Sequence, residues 1–157
     1  MTYQIQPLAP QQFAHLFHLS QPELQQLGIV RMQANKTPGF PCRLSLQDAE
    51  PGEQMLLLNY AHLSAPGPYQ SAHAIFISQS GMNTMEWPAP DTVPAMLLRR
   101  TLSLRAFDTQ QMMLDARLCQ GADADTQIRE LLALPECDFV HIHTAIRGCY
   151  LAAARRL

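Results

Sequence analysis

The amino-acid sequence predicts an α+β fold: a mainly antiparallel sheet of about six to eight strands, with a helical N-terminal segment and one later helix packed on it. Three observations predict it. Several short stretches alternate apolar and polar residues with the period of two that marks half-covered strands. Two other stretches, one beginning at Phe13 and one at Ile128, space apolar residues at i, i+3 and i+4, the stripe of a helix. Twelve prolines scattered through 157 residues cut the chain into short elements.

Residues from about 10 to 28 read as the helical segment. Phe13, Leu16 and Phe17 form its stripe, Ser20 and Glu23 make a capping-box pattern, and Gly28 is a stop. The sheet-forming region then runs from about 29 to 157. Ile29 to Ala34 is a first strand, and Thr37-Pro38-Gly39-Phe40-Pro41 is a turn. Cys42 to Leu46 alternates, with Cys42, Leu44 and Leu46 on one face and Arg43 and Ser45 on the other. Met55 to Leu58, with Tyr60, and Ala74 to Ile77 are runs of the doubly covered type. Gln79 to Pro94 is a long loop holding Trp87, followed by a short helix near Ala95 to Arg99. Leu102 to Phe107 and Met112 to Leu118 alternate and are joined by a connection of hairpin length. Asp125 to Leu134 is the later helix, ended by Pro135. Phe139 to His143 is a strand, Gly148 lies in the turn after it, and Cys149 to Leu151 returns as its partner, with the tail read as strand.

Composition sets the class. Eleven basic against thirteen acidic side chains give a net charge of −2, with no basic footprint for nucleic acid. Apolar residues make up 47% and charged residues 15%, which argues for one folded domain over residues 1–157 rather than a disordered chain. No apolar run approaches a membrane span, and the first residues lack a secretory pattern. Four well-separated cysteines without a CxxC read as free thiols, so the expected compartment is the cytoplasm. Nucleotide-binding, α/β-hydrolase and HExxH signatures are absent from the sequence.

What chemistry the chain carries follows from the alternation. In Phe139 to His143, Val140 and Ile142 face one way, and His141 and His143 the other. The same bookkeeping leaves Arg43, Ser45, Arg105, Asp115 and Arg117 on non-core sides. If these strands share a sheet, one face gathers His, Arg and Asp. A half-buried sheet has a polar outer face by construction, but here ten of eleven cations are arginine, and Lys36 is the one lysine. Arginine suits bidentate contact with carboxylate or phosphate. His141 and His143, about 6–7 Å apart by strand rise, can share a metal ion, with Cys149 and Cys42 as further ligands of a zinc site. Cys149 with either histidine is also a thiolate–imidazole pair for nucleophilic catalysis.

Pro41-Cys42-Arg43, the Pro68-Tyr69 pair followed by Ile75-Phe76-Ile77, Arg105-Ala106-Phe107-Asp108, and His141-Ile142-His143 with Gly148-Cys149-Tyr150 resemble the bacterial "domain of unknown function 1203" family. The resemblance runs from about Phe13 to the C-terminus. It implies a small cytoplasmic bacterial protein and no particular activity, and it leaves Cys42, Arg43, Arg105, His141, His143 and Cys149 as site candidates.

The expectation is therefore a small-molecule site, binding or catalytic, on the polar face of the sheet. His141, His143 and Cys149 would do its chemistry, and Arg43 and Arg105 would hold an anionic ligand. The alternative is a non-enzymatic module that docks a protein partner or a second copy of itself through the sheet edge or the Trp87 loop. Neither nucleic acid nor a membrane is an expected partner, and a homo-oligomer is compatible with either reading.

Overall fold

Ten strands form two five-stranded sheets, and the computed structural model describes the chain over residues 1–157. The chain opens with a strand that the sequence does not predict, β1 (Tyr3–Gln6). The stretch read as one helical segment then divides into 3-10 turns at Pro10–Gln12 and Ala14–His18 and the short helix α1 (Gln21–Gln26). Leu19 and Ser20 are extended, and this breaks the helix. The capping box starts a new one: Ser20 N–H donates to Glu23 Oε2 at 2.7 Å, and Glu23 N–H reaches Ser20 Oγ. Phe13, Leu16 and Leu24 are buried, so the apolar stripe still faces the core.

Strands β2 (Val30–Gln33), β3 (Pro41–Cys42), β4 (Gln47–Asp48), β5 (Gln54–Leu63) and β6 (Ser71–Ile77) follow. Next come helices α2 (Gln79–Asn83), inside the segment read as loop, and α3 (Ala95–Leu98). The chain ends with β7 (Thr101–Phe107), β8 (Met113–Gln120), α4 (Ala124–Leu132), β9 (Phe139–Thr144) and β10 (Tyr150–Arg156). One sheet has the order β1-β10-β9-β7-β8, and the other β2-β5-β6-β3-β4. Pairing is antiparallel except between β3 and β6. The fold is α+β, and no helix is long and apolar enough to cross a membrane.

The first sheet is covered on both faces. On one side Leu102, Leu104, Ala106, Val140 and Ile142 meet Ile128, Leu131 and Leu132 of α4, all of them fully buried. Each such leucine or isoleucine contributes about 1.5–3 kcal/mol by leaving water. That apolar contact fixes the phase of β9, because a one-residue slip would exchange Val140 and Ile142 for histidines. The opposite face, carrying Ser103, Arg105, His141 and His143, turns toward β5 and β6 of the second sheet. Tyr60 of β5 lies 5.9 Å, centroid to centroid, from Tyr150 of β10 across this seam.

Two expectations about the polar face are corrected. Cys42 to Leu46 is not an alternating strand. Pairing stops at Cys42, and the chain turns so that Leu46 N–H donates to the Cys42 carbonyl at 3.0 Å. Arg43 and Ser45 are therefore buried with Leu44 rather than displayed opposite it. Asp115 and Arg117 also leave the histidine face, since in register they lie across from Ala106 and Leu104, on the α4 side. The cause is position: β8 is an edge strand at the flank of α4. Arg117 reaches over to Glu130 and Gln127 of that helix, and Leu118 is left 72% exposed.

Candidate functional site

The site is built from four strands. β9 supplies His141 and His143 on one face, and β7 beside it sets Arg105 opposite His141 and Ser103 opposite His143. From the facing sheet, β5 supplies His62 and β6 supplies His73. Four of the six histidines thus meet in the seam between the sheets. His62 is central. Its ring stacks on His73 (centroids 4.8 Å apart) and on Tyr150 (5.4 Å), and meets His141 and His143 edge-on at 5.3 and 4.9 Å. His141 and His143 are buried, whereas His62 and His73 are half-buried.

Local structure orients each ring. After β9 the chain turns over Thr144 to Cys149. Gly148 N–H donates to the Thr144 carbonyl at 2.9 Å, and Gly148 adopts φ of 72°, a conformation that favours glycine. This turn brings the Gly148 carbonyl to 2.9 Å from His143 Nδ1. A carbonyl only accepts, so Nδ1 carries the proton, and Nε2 of the neutral ring is a bare lone pair. His143 Nε2 is the one buried side-chain nitrogen or oxygen in the chain with no hydrogen-bond partner. An orphan of this kind costs about 1–3 kcal/mol unless something binds it.

One nitrogen each from His62, His141 and His143 lies within 4.8 Å of the other two, a spacing that one metal ion can bridge. His62 Nδ1 is 3.3 Å from His141 Nδ1, and His62 Nε2 is 2.9 Å from His73 Nδ1 and 3.1 Å from Ser71 Oγ. His62 therefore turns one nitrogen to the group and braces the other against β6, an arrangement that fixes the ring of a metal ligand.

Electrostatics favour neutral rings. Burial pushes the pKa of His141 down to about 2 and that of His143 to about 3, and burial with the neighbouring His73 takes His62 to about 4. Burial also lowers His73, and the positive charge of Arg105 adds to all four shifts. At neutral pH these rings are poor proton donors and good lone-pair donors.

The predicted residues are only partly brought together. His141, His143 and Arg105 share the site. Arg43 is directed elsewhere: its Nε donates to the Tyr150 carbonyl at 2.8 Å and its Nη1 to the Pro41 carbonyl at 2.6 Å. Neither cysteine belongs to the histidine group. Cys42 is buried with its sulfur 3.7 Å from Ser78 Oγ, and the Cys149 sulfur lies 3.9 Å from the Arg147 carbonyl. His62 and His73 are the members that the sequence reading passes over. The available signal is the pair of alternations Tyr60-x-His62 and Ser71-x-His73, which put polar rings on the inward face of two apolar strands.

Residues 39–156, which include all four histidines, match a family model described as protein of unknown function (DUF1203). No curated protein and no solved structure matches the chain.

Proposed function

The chain belongs to the DUF1203 family of proteins of unknown function, and we propose from its inter-sheet cleft that it is a metal-dependent protein acting on a small anionic molecule. His62, His141 and His143 hold a single divalent transition ion, with zinc as the first choice for an all-imidazole set. The carrying observation is His143 Nε2, buried and unpartnered while Nδ1 is tied to the Gly148 carbonyl. Metal-binding histidines commonly have their other nitrogen held in this way.

Three protein ligands leave a tetrahedral ion one open position for water or a ligand. When bound, the ion would act there as a Lewis acid. The half-buried rings of His62 and His73 mark the side from which a small molecule can enter. Arg105, the cross-strand neighbour of His141, supplies the cation that favours an anionic ligand on this face. Cys149 has no role in this reading.

Metal analysis of the purified protein, after EDTA treatment and reloading with zinc, tests it. The expected result is about one tightly held equivalent per chain in the wild type, lost in His143→Ala and in His62→Ala. A wild-type protein that fails to take up zinc, iron or cobalt would overturn the proposal, as would a His143→Ala variant that loads normally.

A further inference from the structure

Among the half-buried arginines, Arg105 alone lacks an acid. Arg100, Arg117, Arg129 and Arg155 are each bonded to a carboxylate. Arg105 makes no ion pair, and its guanidinium makes a single hydrogen bond within the chain, from Nε to Ser103 Oγ at 3.2 Å. Nη1 and Nη2 have no partner. They are open to solvent, since the one fully buried polar atom without a partner is His143 Nε2. Position explains the missing acid. Ser103 and Arg105 share one face of β7. Arg105 stands between His141 on β9 and Ala116 on β8, and Ser103 between His143 and Leu118. None of these neighbours is acidic, and Asp115 lies on the α4 face. The bond to Ser103 leans the guanidinium along β7 toward the row of His143. Burial is the first cause of the low pKa values of both histidines; among the neighbouring charges, Arg105 depresses His143 most and His141 least.

We infer that Ser103 holds Arg105 as a two-pronged receptor beside His143, and that the small anion of the cleft is a carboxylate gripped by Nη1 and Nη2. The inference rests on the reading of the cleft as the site of a small anion; it adds which atoms take that anion and which anion they fit. With Nε occupied by Ser103, the two terminal nitrogens present parallel N–H donors whose spacing matches the two oxygens of one carboxylate. Apart from the proposed ion, Arg105 is also the one cation of this face without a counter-charge. Arg155, the other arginine on the face, is paired with Asp138, and Arg43 behind it is bonded to carbonyls. One free guanidinium balances one carboxylate rather than a doubly charged phosphate. The serine makes the receptor: a guanidinium already held at Nε has less freedom to lose when it binds. Ser103 is thus a positioning residue, and Arg105 the residue that touches the ligand.

Titration with sodium acetate at constant ionic strength, followed by nuclear magnetic resonance on zinc-loaded and on EDTA-treated protein, tests this. Acetamide, neutral and of the same shape, and inorganic phosphate are the comparisons. Acetate should shift the Arg105 Nε–H and His143 ring signals saturably, acetamide should not, and phosphate should bind more weakly than acetate. Arg105→Lys keeps the charge and loses the fork, and should weaken acetate binding at least about tenfold. Ser103→Ala should weaken it about threefold to tenfold at unchanged stability and zinc content, and Ser103→Thr, which restores the hydroxyl, should return it to the wild-type value. The absence of a saturable shift in the wild type would overturn the inference, as would a preference for phosphate or a Ser103→Ala variant of wild-type affinity. Zinc-loaded Arg105→Lys that binds acetate as well as the wild type would overturn it too and leave the histidine centre standing, because the ion alone would then hold the anion. Acetate binding that needs Arg105 in a protein that takes up no zinc would do the reverse. If Arg105→Lys does not fold, the contrast between Ser103→Ala and Ser103→Thr decides.

Discussion

Arg43 holds a guanidinium that is 2% exposed, and no carboxylate pairs with it. Burial pushes its pKa down to about 10, so it stays charged at neutral pH. Its donors go to the carbonyls of Tyr150 and Pro41, joining the first residue of β10 to the turn after β3. Tyr150 in turn stacks on His62. Arg43 therefore supports the histidine cleft from behind. Arg43→Met should cost about 2–4 kcal/mol, since hydrogen bonds to a charged group are worth about 1.5–3 kcal/mol and the substitution leaves two buried carbonyls bare. Urea unfolding checks the loss, and metal analysis of the folded fraction should match the wild type. Full stability with lost anion binding would instead assign Arg43 to a ligand. At this scale the sequence was half legible. His141 and His143 could be placed on one face because strand alternation is local, whereas the burial of Arg43 depends on a turn that five alternating residues disguise as a strand.

The short elements are held by side-chain ties as much as by their own hydrogen bonds. β1 has four residues, and α4 fastens it: the buried Tyr3 hydroxyl donates to Asp125 Oδ1 at 2.8 Å, and Arg129 bonds Asp125 and stands 5.0 Å over the Tyr3 ring. Burial and the Asp125 carboxylate raise the Tyr3 hydroxyl pKa. The hydrogen bond from Arg129 and that from Tyr3 lower Asp125. A carboxylate held below its unfolded pKa binds its proton more weakly when folded. Its stabilisation is therefore complete above the unfolded value, and is lost as pH falls through the folded one. Tyr3→Phe should lower stability at neutral pH by about 0.5–1.5 kcal/mol, the usual worth of one such hydrogen bond. The gap from wild type should narrow on acidification below the Asp125 transition, where the carboxylate is protonated in both proteins; a pH series of thermal midpoints reads this. α4 and the β7–β8 hairpin were legible because period and punctuation agree there, except at the bulge that sets Met113 rather than Leu114 opposite Phe107. β1 was not, because Tyr3 to Gln6 is too short to show a period, and only its pairing with the C-terminal strand defines it.

On the scale of the whole molecule, the two sheets are separate hydrogen-bonded units, and the proposed centre draws ligands from both. His141 and His143 belong to one sheet and His62 to the other. Nothing in the sequence near His141 announces His62, which lies 79 residues earlier and reaches the site only when the sheets close on each other. An ion bound there is a clamp between sheets, and its binding energy is available only to the folded chain. Zinc at a thousandfold excess over its dissociation constant should stabilise the fold by about 4 kcal/mol. For a chain of this size that is a rise in thermal midpoint of roughly 8–16 °C. EDTA should reverse the rise. His62→Ala should abolish it although the His141–His143 pair is left intact, because two ligands on one sheet cannot tie it to the other. A rise of equal size in His62→Ala would place the ion outside the seam. A rise that depends on His62 would mean that the histidines link the halves of the fold as well as forming its chemical centre.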